Sequence, residues 1–89
     1  MVTTKPTVHL NGTSPTSLSE GYEAAVEAIR AAERTLADAS PNARDYYPQG
    51  PGAFDVADDE HRARRLALAA VREDLEALWE HVQATRGRR

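Results

Sequence analysis

The stretch "SPTSLSEGYEAAVEAIRAAERTLADASP", Ser14 to Pro41, decides the fold. Within it Leu18, Tyr22, Ala25, Ile29, Ala32, Leu36 and Ala39 follow one another at alternating steps of four and three. That period belongs to a helix packed lengthwise against another. Ser14 can cap it with Pro15 at the first helical position, or Ser17 can do so with Glu20 closing a capping box. Ser40-Pro41 ends it, because proline disfavours helical geometry in the residue before it. Gly21 costs roughly 1 kcal/mol relative to Ala inside a helix, and close approach by the N-terminal arm would explain its presence.

Working outward, Ala57, His61, Arg64, Leu68, Val71, Leu75, Leu78 and Val82 repeat the alternation further along the chain. Acidic residues from Asp55 to Asp59 suit the positive end of a helix dipole. Asp58–Arg62, Glu60–Arg64 and Arg72–Glu76 add support at helical spacing. Gly87 is a natural stop, with Arg86, Arg88 and Arg89 at the negative end. The expectation is an all-α chain, an antiparallel hairpin with one helix over about 15–39, an ordered loop over 40–54 and a second helix over about 55–86. Residues 1–14 form an N-terminal arm. In it Val8 and Leu10 alternate around His9 before an Asn11-Gly12 turn, which predicts a short strand at 7–10. No second strand follows, so its partner must come from another chain, or the arm lies extended on the helices.

Two helices bury little on their own, and below about 80 residues a single core is marginal. The second helix also carries Ala63, Leu66, Ala67, Ala70 and Ala77 away from its main seam. Small residues there permit close contact with a further helix. Both features predict a homo-oligomer, most simply a four-helix bundle from two hairpins.

Composition excludes several classes. The chain has 89 residues, no cysteine and a formal net charge of −3. Disulfides and thiolate metal sites are therefore out, and a general nucleic-acid binder would carry a basic excess. No apolar run approaches bilayer length and the N-terminus lacks a signal-peptide pattern, so a soluble, cytoplasmic protein is expected. Of the 11 basic residues only Lys5 is lysine, a bias typical of GC-rich coding sequence. No phosphate loop, dinucleotide fingerprint or paired-carboxylate pattern is present, so neither an enzyme nor a cofactor is expected.

The loop "PNARDYYPQGPGAFD", Pro41 to Asp55, holds three of the five aromatic residues and three of the five prolines. A long loop so rich in rigid and aromatic residues reads as ordered and functional. Tyr46, Tyr47 and Phe54 can plug the open end of the hairpin, with Arg44 and Asp45 capping helix ends or pairing together. Alternatively Arg44 offers a planar fork for an anion while Tyr46 or Tyr47 stacks on a flat ring. His61 and Arg64 occupy seam positions where Leu or Val would be expected. A Glu33–Arg64 pair would explain the arginine, and so would a polar pocket where Arg44, His61 and Arg64 converge on a charged ligand. Asp58, His61 and Glu33 could in principle share a metal, but a single ligand pair at this spacing does not predict a metal site.

The segments "HLNGTS" (His9 to Ser14) and "PNARDYYPQG" (Pro41 to Gly50) resemble a group of short uncharacterised proteins from phages and prophages of GC-rich bacteria. That resemblance implies no activity and no site residues. Small oligomeric phage proteins that sequester immune signalling nucleotides are similar in size and in lacking catalytic motifs, by analogy only. The expected function is a non-enzymatic, homo-oligomeric binder of a small anionic, nucleotide-like ligand, with a counter-defence sponge as one form of it. Its site residues would be Arg44, Tyr46, Tyr47, Gln49, His61 and Arg64, joined by Asn11 and Thr13 if the arm reaches a neighbour's loop. The alternative is a protein-interaction module, an inhibitor or assembly adaptor, that docks a host protein through the aromatic loop or the second helical face.

Overall fold

The computed structural model describes residues 3–86, so Gly87, Arg88 and Arg89, proposed as the stop of the second helix, lie outside the described residues. Helix α1 spans Pro15–Asp38 and α2 spans Ala53–Arg86. Ser14 caps α1, its hydroxyl oxygen accepting from the Ser17 amide at 3.1 Å, with Pro15 just inside. At the far end the Ala39 amide donates to the Thr35 and Leu36 carbonyls at 3.1 Å, and the Ser40 hydroxyl donates to Ala37 at 2.7 Å. These bonds occupy carbonyls that a helix end leaves without partners.

Two single-turn 3-10 helices, Ala43–Asp45 and Tyr47–Gln49, order the loop. Asn42 caps the first by accepting from the Arg44 amide at 3.0 Å. Gly50 at φ 108° and Gly52 at φ 87° then turn the chain into α2. Side chains with a Cβ rarely adopt such backbone angles.

The helices run antiparallel. Leu36 meets His61, Glu33 meets Arg72 and Arg30 meets Glu76, one sequence descending as the other rises. At 1.5 Å per residue α1 is about 36 Å long and α2 about 51 Å, so α2 outreaches its partner. The result is a rod with extents of 62 × 22 × 18 Å.

The strand expected at 7–10 does not form, and no strand occurs among the described residues. Residues 7–9 have no regular structure and Leu10 opens a turn closed by Gly12 donating to His9 at 3.1 Å. With no second strand among the described residues, the backbone polar groups must find other partners. Side chains of α2 supply them. His81 donates from Nε2 to the Pro6 carbonyl at 2.8 Å, and the Thr3 hydroxyl donates to the Asp74 carboxylate. The arm is a strap along α2. Leu10, half of the expected alternation, is 98% exposed.

Gly21 makes no room for that strap. A Cβ built on it meets nothing within 4 Å. Among the described residues Val82 is the sole fully buried apolar side chain, with Ser19 and His61 the buried polar ones. The accessible surface of 6664 Å² exceeds by roughly 1,500 Å² the value expected from compact monomers of this mass.

Candidate functional site

Where α1, the loop and α2 meet, a cleft of about 280 Å³ is lined by Ala39, Pro41, Tyr46, Ala57, Glu60, His61 and Arg64. Each wall has a local cause. Pro41 stops α1 and bends the chain outward. The Asn42-capped turn delivers Tyr46, which is half-buried, and the N-terminal third of α2 supplies Glu60, His61 and Arg64. His61 forms the floor, only 6% exposed. Its Nε2 lies 2.8 Å from the Leu36 carbonyl, and since a carbonyl only accepts, Nε2 carries the proton.

Arg64 is exposed at the mouth and makes no ion pair among the described residues. The expected Glu33–Arg64 pair is not formed. Glu33 is held instead by Arg72, whose Nε donates at 2.7 Å while its Nη1 donates to Glu76 at 2.5 Å. The reason is geometric. A strict seven-residue repeat drifts by about 20° per heptad on a straight helix. By that drift Arg64 and Val71 end on the flank of the seam, both exposed, while His61 and Arg72 contact Leu36 and Glu33 of α1. Val71 is consequently 45% exposed, although it is apolar. Hydrogen bonds to Glu33 first and Glu76 second hold the Arg72 guanidinium above the ordinary arginine range.

Of the residues singled out in the sequence, Tyr46, His61 and Arg64 come together. Arg44, Tyr47 and Gln49 are exposed on the loop outside the cleft lining, Tyr47 at 75%. Asn11 and Thr13 are exposed beside the start of α1, about 36 Å of helix away, so within one chain they cannot share this cleft. Glu33, needed as third ligand for a metal with Asp58 and His61, is committed to Arg72. Asp58 accepts from Arg62 at 3.3 Å. No cluster of three or more metal-ligating side chains gathers among the described residues.

Two further surfaces escaped the sequence reading. A groove of about 290 Å³ between the helices is lined by Glu23, Val26, Glu27, Arg30, Glu76, Trp79 and Glu80, with the Trp79 Nε1 proton buried and unpartnered. On the loop half of α2, Leu36, Ala67, Leu68 and Val71 form a shallow, almost wholly apolar depression beside Arg64. Reading the row His61, Leu68, Arg72, Leu75, Trp79, Val82 at helical spacing would have found Trp79. Preference for Val71 over Arg72 as a core residue hid it.

Compared with known proteins, the chain matches no family model, no curated protein and no solved structure. No helix among the described residues is long and apolar enough to cross a membrane.

Proposed function

We propose that the chain is a non-enzymatic, self-associating interaction protein whose hairpins pair into a helical bundle. One observation carries this reading. Leu66 is 66% and Val71 45% exposed on the loop half of α2, in a hairpin where Val82 is the sole fully buried apolar side chain among the described residues. Covering a large aliphatic side chain contributes about 1.5–3 kcal/mol, a gain the isolated hairpin forgoes at both positions. Thermal unfolding at increasing protein concentration tests the reading. A melting temperature that climbs with concentration supports it, because association stabilises by mass action, and one that stays constant removes it.

A second reading is supported by the loop-end cleft. There Arg64, free of any ion pair among the described residues, faces Tyr46 and His61 across a volume suited to a small ring-bearing anion. Glu60 in the same wall disfavours a highly charged one. On this reading the assembled particle holds a nucleotide-like ligand, with Arg44, Tyr47 and Gln49 as an outer rim, and acts as a phage counter-defence sponge. Calorimetric titration with a nucleotide panel separates the two. Heat of binding that is lost in Arg64→Ala supports ligand capture, and silence across the panel leaves the interaction module alone.

A further inference from the structure

One side of α2 is treated differently along its length. Toward the C-terminus it carries the arm, bonded at Asp74 and His81. Advancing about 100° per residue, Ala63, Leu66, Ala67, Ala70 and Val71 continue that same side toward the loop. All five are exposed among the described residues, Val71 at 45% the least of the large side chains. The arm dries half of a row and leaves the other half wet.

Resting on the self-association reading above, we infer that this bare half-row is the docking site for the same half-row of a second copy, the two α2 helices crossing antiparallel near Ala67. Three observations select this occupant and this direction. Over the whole rod, the surface in excess of a compact monomer, roughly 1,500 Å², is larger than the ~800 Å² per partner that a standard stable interface covers. Ala63, Ala67 and Ala70 let the two helix axes approach closely, and Leu66 and Val71 fill the sides. Charge fixes the direction. Arg62 and Glu73 stand on one flank of the row, about three turns apart. An antiparallel two-fold crossing sets Arg62 of each copy against Glu73 of the other, twice over. Glu73 is exposed and has no ion pair among the described residues, while Arg62 has only an exposed contact to Asp58. A parallel crossing would instead stack the acidic starts, Asp55 and Asp59 among them, on one another.

Two variants and a cross-link test this on the full chain. Arg62→Glu turns two attractive contacts into two repulsive ones and is expected to raise the dimer dissociation constant roughly tenfold. Arg62→Glu combined with Glu73→Arg restores it, with helix content checked by circular dichroism throughout. Since the chain has no cysteine, Ala67→Cys gives a single thiol that a short cross-linker should join into dimers. Ala24→Cys, exposed on α1, should not be joined. An unchanged dissociation constant in Arg62→Glu, no recovery in the double variant, or cross-linking at position 24 in place of 67 overturns the proposed face while self-association stands. A folded wild-type monomer overturns both.

Discussion

Arg72 on α2 donates from Nε to the Glu33 carboxylate on α1 at 2.7 Å, and from Nη1 to Glu76 one turn along its own helix at 2.5 Å. All three side chains are largely covered, at 22%, 25% and 32% exposed. Arg30 approaches the same Glu76 at 3.7 Å, which closes the cluster. This is the main polar tie between the helices, and it sits midway along the rod.

Removing one partner from such a cluster leaves a covered charge short of a partner, which is worse than removing the pair. Arg72→Met and Glu33→Gln should each lower the melting temperature, and the double variant should lie above the sum of their losses. The contribution should also be flat in alkali. A cation held above its ordinary range lends stability at every pH below its unfolded value and loses it only as pH climbs through the raised one. The gap between wild type and Arg72→Met should therefore not change between neutrality and pH about 10.

His61 is a structural post. Its Nε2 proton serves the Leu36 carbonyl near the end of α1, where helical partners run out. His61→Leu, similar in size, should cost about 1 kcal/mol in urea unfolding. Arg64→Ala, exposed at the same cleft, should stay within about 0.5 kcal/mol.

The glycines divide by conformation. Gly21 lies mid-helix with open space where a Cβ would go, so Gly21→Ala should stabilise by about 0.5–1 kcal/mol. Gly50, at φ 108° and ψ 172°, occupies a region essentially closed to other residues. Gly50→Ala should destabilise by about 1–3 kcal/mol, with no steric contact to blame. Denaturant titration of the pair reads both signs.

The strap is held by two side chains, so Asp74→Ala and His81→Ala should each release it at a cost of about 1 kcal/mol. Limited proteolysis between Thr3 and Leu10 should accelerate in both variants and leave the helices uncut.

The helical pairing was legible because apolar spacing, a Ser-Pro entrance and a Ser-Pro exit all agree around α1. The expected strand is not seen because alternation at Val8 and Leu10 is a local signal, while a strand needs a neighbour that no other described segment supplies. Within α2 the 3.5 repeat is a true pattern on a helix that turns at 3.6, and the drift moved Arg64 and Val71 out of the seam and Arg72 and Trp79 into it. The meeting of Tyr46, His61 and Arg64 was half legible. His61 and Arg64 share a stretch of helix, but where Tyr46 or Arg44 points depends on the Asn42 turn, whose fold no periodicity encodes.

All of this places the hairpin short of covering its own apolar surface. Sedimentation velocity of the wild-type chain across a dilution series into the low micromolar range tests that directly. Self-association predicts a species of at least twice the 9.7 kDa chain mass that dissociates on dilution. A single boundary at chain mass throughout, with helix content and cooperative melting intact, would contradict it.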